Sequence, residues 1–107
     1  MANTVAGGDI KKMVIACEAG MGSSLMVTNK LKKKVKQANL DIEVKHTPAR
    51  AIPQDAQLVF VHKSLAKLAL EKAPWAVVIP FSDFQNIPVF DKVIQAIEQN
   101  KTIKGIG

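Results

Sequence analysis

The sequence predicts an α/β domain in three layers: a four-stranded parallel sheet, strand order 2-1-3-4, with helices on both faces. Three observations predict it. Short apolar runs alternate with amphipathic stretches of helix length, the pattern of β–α–β units. The connections are long enough for crossovers, which parallel neighbours require and which are nearly always right-handed. Finally, 107 residues with 48% hydrophobic and 22% charged side chains have the size and composition of one ordinary globular domain rather than a disordered or low-complexity chain. Residues 1–10 are expected to form a flexible tail and 11–107 a single domain.

The first strand is Met13 to Ala16, a continuous apolar run of the kind buried on both faces of a sheet. From Ser24 onward Val27, Leu31, Val35 and Ala38 recur at helical spacing, with Lys30, Lys32, Lys33, Lys34 and Lys36 on the rest of the wheel. This predicts an amphipathic helix over 24–38, stopped at Asn39. Ile42, Val44 and His46 alternate with Asp41, Glu43 and Lys45, so the second strand is half buried and belongs at an edge. Residues 47–55, with two prolines, read as loop.

Leu58 to Val61 is the second continuous apolar strand, followed by a short helix that Ser64 is placed to cap and that Ala73 and Pro74 end near Lys72. Trp75 to Ile79 predicts the fourth strand and 80–87 a loop. Pro88 then opens a helix whose buried stripe is Val89, Phe90, Val93, Ile94 and Ile97. The continuous strands belong in the centre, and the order switches direction between the first and third. Ligands bind such sheets at the carboxyl ends of the strands beside that switch, which puts the residues just after Ala16 and Val61 in one crevice.

Composition excludes several classes. A single cysteine forms no internal disulfide and no multi-thiolate metal site, and the two histidines, His46 and His62, lack metal-ligand spacing with it; no metal and no cofactor are expected. The longest apolar runs fall far short of the ~20 residues that cross a bilayer, so no direct membrane insertion is expected. Residues 1–9 lack the basic and apolar regions of a secretory signal, which makes a cytoplasmic setting the expectation. A net charge of +6 favours acidic partners. Aromatic residues are only 5% and tyrosine is absent, which argues against a base-stacking surface and hence against nucleic acid.

The chemistry concentrates in Cys17-Glu18-Ala19-Gly20-Met21-Gly22-Ser23-Ser24, a cysteine at a strand end followed by a small-residue loop that opens a helix. Glycines let backbone N–H groups turn inward, and those donors with a helix N-terminus bind an anion of phosphate size. The same field is expected to favour the thiolate of Cys17, the form that attacks phosphorus. The plainer alternatives are a buried cysteine ending a strand and a tight turn with a serine cap. Ser23 stands where cysteine phosphatases place a clamping arginine. A loop of neutral donors suits a carrier of phosphate better than a phosphatase.

These residues resemble the phosphocysteine loop of the IIB components of the bacterial phosphoenolpyruvate-dependent sugar phosphotransferase system, especially the mannitol type. Val44-Lys45-His46-Thr47, the run from Ile52 to Val59 and His62-Lys63-Ser64-Leu65 extend the likeness over roughly residues 12–98. Glu18 stands where the family more often has Asp. The resemblance implies that Cys17 accepts phosphate from a phosphohistidine on a IIA protein and passes it to a sugar or sugar alcohol held by the membrane IIC component. Residues 18–24 would then take the phosphoryl oxygens. Localisation would be at the inner face of the membrane through IIC, with the isolated domain a monomer.

Beside the loop, Leu25 and Met26 fall off the buried stripe of the helix and with Lys30 form a candidate docking patch. The lysine run is otherwise a solvated face. His62 is a candidate accessory group, either a cation near Cys17 or a residue that organises the following turn. Ser82-Asp83 lies where a cysteine phosphatase would keep its general acid. Two rivals remain open at this point: a small cysteine-loop phosphatase or arsenate-reductase-like enzyme, and a non-catalytic module that senses a partner's phosphorylation.

Overall fold

The computed structural model describes residues 4–17, 22–81 and 88–105; for Cys17, residues 22–25 and Pro88 it describes the backbone alone. The strands are β1 (Thr4–Ala6), β2 (Lys12–Cys17), β3 (Glu43–Pro48), β4 (Leu58–His62), β5 (Val77–Phe81) and β6 (Thr102–Lys104). The helices are α1 (Gly22–Gln37), α2 (Ala66–Lys72) and α3 (Pro88–Glu98). β3, β2, β4 and β5 lie side by side in that order, each pair parallel. This is the predicted order 2-1-3-4, since β2 is the first strand of the predicted sheet.

Strand periodicity sorts the core into two halves. On one face Met13, Ile15, Leu58, Phe60, Val77, Ile79 and Phe81 pack against Val27, Leu31 and Val35 of α1 and Phe90, Val93, Ile94 and Ile97 of α3. Phe60 meets Phe90 edge to face, with centroids 4.7 Å apart and planes at 78°. On the other face Val14, Ala16, Val59, Val61 and Val78 meet Ala69 and Ala73 around α2, together with Ala49, Ile52 and Ala56 of the β3–β4 connection. Helices on both faces make the three layers. β3 is the half-buried edge: Val44 is buried while Glu43, Lys45 and His46 are exposed, charges that discourage pairing with another chain.

Three elements differ from expectation. Residues 4–6, read as tail, form β1, which pairs antiparallel with β6, a strand the sequence reading did not contain. Gly7 donates to the Lys101 carbonyl (2.9 Å) and Gly8 to Asn100 Oδ1 (2.8 Å), which ties this ribbon to the end of α3. β5 begins at Val77 rather than Trp75 and runs through Pro80 to Phe81. Proline is tolerated there because β5 borders the four-stranded sheet and one side of its ladder goes unused. The third difference is at the cap before α2, where Ser64 lies inside a 3-10 turn and His62 does the capping.

At the amino end of the sheet Lys12 is buried and joins three segments. Its Nζ lies 3.0 Å from Asp55 Oδ1 and 3.6 Å from Glu43 Oε2. Gln57 Oε1 accepts from the backbone N–H groups of Lys11 and Lys12, both at 2.9 Å.

Candidate phosphocysteine site

The sheet ends in a row of residues set by register. Cys17 lies opposite Pro48 across β2 and β3, and His62 opposite Phe81 across β4 and β5. Ala16 pairs with Val61, so Cys17 and His62 are the next residues of adjacent parallel strands, about 4.8 Å apart in the pairing direction. The chain turns to one side from β2 to β3 and to the other from β4 to β5. Cys17 therefore ends a strand at the point where the strand order reverses, the place where α/β sheets bind ligands.

α1 begins at Gly22, so its first turn stands at this same edge and its unpaired N–H groups open toward it. The helix forms because Val27, Leu31 and Val35 recur every fourth residue and are buried on the sheet. Its end is set by Asn39, whose φ of 55° places it in the left-handed region. The amides of Asn39 and Leu40 bond back to the carbonyls of Lys36 and Val35, both at 3.1 Å, a Schellman closure. Glu18, Ala19, Gly20 and Met21 lie outside the described residues, and Gly22, Ser23, Ser24 and Leu25 are described as helix backbone only. Ser82 and Asp83 also lie outside the described residues.

Met26 is 56% exposed, the most open large apolar side chain among the described residues, and Lys30 stands exposed one turn further on. Met26 thus lies off the buried stripe, while the side chain of Leu25, expected beside it, lies outside the described residues. Not every lysine of α1 is merely solvated: Lys34 Nζ bonds Asp91 Oδ1 of α3 at 2.6 Å. Both groups keep substantial contact with water, so this link orients the two helices more than it stabilises them.

His62 is half buried at the end of β4. Its Nδ1 accepts from the Ser64 amide at 3.2 Å and lies 2.7 Å from Ser64 Oγ. Its ring stands edge-on to Phe81, centroids 6.1 Å apart. The turn-organising role is therefore present in the structure. Arg50 was missed by the sequence reading. It is the chain's single arginine and is exposed in the turn that the Ala51 amide closes on the Pro48 carbonyl at 3.0 Å. Its signal was available: it follows a predicted strand whose end adjoins that of the cysteine strand.

Two cavities are lined by described residues alone. One of about 300 Å³ is lined by Val5, Asp55, Gln57 and Trp75 at the amino end of the sheet, and one of about 230 Å³ lies between α3 and β6. Neither touches Cys17 or His62. Among the described residues no group of three or more His, Cys, Asp or Glu side chains is arranged to hold a metal ion, and no helix is long and apolar enough to cross a membrane.

A parallel α/β domain with a cysteine at the switch point and a helix opening beside it has relatives of known type. Residues 12–96 match the family described as the lactose/cellobiose-specific IIB subunit of the phosphotransferase (PTS) system, and the chain belongs to this IIB family. It is 41% identical over 90 residues to the mannitol-specific EIICB component of Geobacillus stearothermophilus and equally to that of Bacillus subtilis. With the mannitol-specific EIICBA component of Buchnera aphidicola the identity is 39% over 92 residues. These matches cover 84 to 85% of the chain but only 15 to 19% of the relatives, so the chain spans a minor part of their length. Within the family its similarity is to mannitol-type members.

Proposed function

We propose that this domain is a phosphoryl carrier of sugar uptake in which Cys17 is the acceptor. The observation that carries this reading is the place of Cys17: the last residue of central strand β2, at the switch point, with α1 opening at Gly22 and the family match running through both. The Cys17 thiolate attacks phosphorus of a phosphohistidine on a IIA partner. An S–P bond forms as the N–P bond breaks, and the electron pair returns to the partner's imidazole, which takes a proton from water. Backbone N–H groups of residues 18–24, with the Ser23 and Ser24 hydroxyls, hold the equatorial oxygens. In the second half a substrate hydroxyl on a IIC partner attacks phosphorus. The S–P bond breaks, the sulfur leaves as thiolate, and the hydroxyl proton passes to solvent.

Mannitol is the proposed substrate, supported by the specificity printed in the names of the matched relatives. The IIC partner is supported by the same names, which join IIC to IIB. Through IIC the domain would work at the cytoplasmic face of the membrane. Leu25, Met26 and Lys30 form the proposed docking patch for IIA, beside the loop.

Phosphorus NMR after incubation with the phosphoryl donors tests this directly: a thiophosphate ester signal is expected in the wild type and none in Cys17→Ser, with the fold unchanged. A Cys17→Ser protein that still accepts label from IIA would reject the proposal. Rapid hydrolysis of an aryl phosphate would favour the phosphatase reading. Labelled phosphate that reaches Cys17 but never mannitol in IIC membranes would favour the sensing module.

A further inference from the structure

The inference concerns His62 and rests on the phosphocysteine reading above. Ile15 pairs with Phe60 and Ala16 with Val61, so positions 17 and 62 are the next step of the same parallel ladder. By the period of two His62 falls on the face that carries Leu58 and Phe60. His62 is seen on that face through its contact with Phe81. An imidazole at this register position stands one strand spacing, about 4.8 Å, from the backbone of the proposed acceptor.

In the tautomer in which Nδ1 accepts the Ser64 amide hydrogen, the ring hydrogen sits on Nε2. The contact of Nδ1 with Ser64 Oγ and the edge-on packing against Phe81, at 88° between the rings, restrain ring rotation. Together these hold the ring in one orientation.

We propose that His62 donates its Nε2 hydrogen to a phosphoryl oxygen on Cys17, and that Ser64 is the positioning residue that holds it in that tautomer and orientation. The chemistry fits a carrier. An arginine clamp would stabilise the phosphorylated state strongly and favour a trap or a phosphatase. A neutral donor adds one directed bond to the equatorial oxygens without a full charge, so phosphate can leave as readily as it arrives. His62 keeps its proton throughout, and no bond other than S–P and the donor's N–P changes.

The test uses the whole chain. Long-range proton–nitrogen correlation spectra of the His62 ring are expected to show the Nε2–H tautomer in the free protein and a displaced Nε2–H resonance once the thiophosphate ester has formed. His62→Asn keeps an acceptor for the Ser64 amide but lacks the reach of Nε2; it is expected to slow transfer about tenfold. His62→Gln, whose amide reaches the Nε2 position, recovers most of that loss, which a purely structural role would not allow. Ser64→Ala gives a smaller loss. If no ester forms in the wild type, the phosphocysteine reading fails and takes this inference with it. An ester that forms while the Nε2 resonance stays unmoved, or Asn and Gln variants that transfer equally, overturns the role of His62 alone.

Discussion

Lys12 and Asp55 show how single residues couple this fold to pH. The hydrogen bond from the Lys12 ammonium, aided by its charge and opposed by partial burial, holds the Asp55 carboxyl below its ordinary value of 3.8. The same bond raises Lys12 above its ordinary 10.5. For Asp55, with its folded pKa depressed, the contribution to stability is present above 3.8 and is lost as pH falls through the folded value. For Lys12, with its folded pKa raised, the contribution is complete below 10.5 and is lost as pH rises through the folded value. Urea unfolding over a pH series should therefore show wild type more stable than Asp55→Asn at neutral pH, with the gap closing below 3.8. A gap of constant size down the acid limb would remove the pair from the account. Neither Lys12 nor Asp55 announced itself in sequence, because residues 43 apart meet only when β2 and the β3–β4 connection come together.

Among the elements, the terminal ribbon makes the sharpest prediction. A Cβ on Gly7 would lie 2.7 Å from the Ala96 carbonyl oxygen and 2.8 Å from Ile97 Cα, both backbone atoms of α3 that cannot step aside. Gly7→Ala should destabilise the protein by about 1–3 kcal/mol. Gly8→Ala should cost less, since its Cβ would meet the movable end of Asn100 at 2.7 Å. Chemical denaturation of the two variants checks this, and equal losses would contradict it. The elements that sequence predicted well are those with strong periodicity: β2 and β4 from continuous apolar runs, α1 and α3 from their stripes. β1 and β6 escaped because strands of three residues have no period to detect and their partners stand at opposite ends of the chain. Sequence left His62 open between a cation near Cys17 and an organiser of the next turn, and assigned the cap to Ser64; the 3-10 turn between β4 and α2 puts the cap at His62 instead.

For the whole molecule, charge distribution governs encounter. A chain of net charge +6 presents Lys30, Lys32, Lys33 and Lys36 exposed along α1, beside Met26. Association with an acidic phosphoryl donor should slow as salt rises, because the Debye length shrinks from about 10 Å at 0.1 M to about 3 Å at 1 M. Met26→Ala should weaken the complex by about 1 kcal/mol or more with little change in that salt slope. Stopped-flow mixing with IIA separates the two effects, and association indifferent to both salt and Met26 would move the docking surface elsewhere.

The sequence by itself determined the layer order, the central place of the cysteine strand and the chemical type of the loop, because burial periodicity and residue chemistry are local properties of the chain. Only the tertiary structure decided that His62 rather than Ser64 caps the turn before α2, that Lys12 meets Asp55, and that the two ends of the chain pair beside α3. Those outcomes depend on distances between segments remote in sequence, and strand register and close backbone approach alone set them.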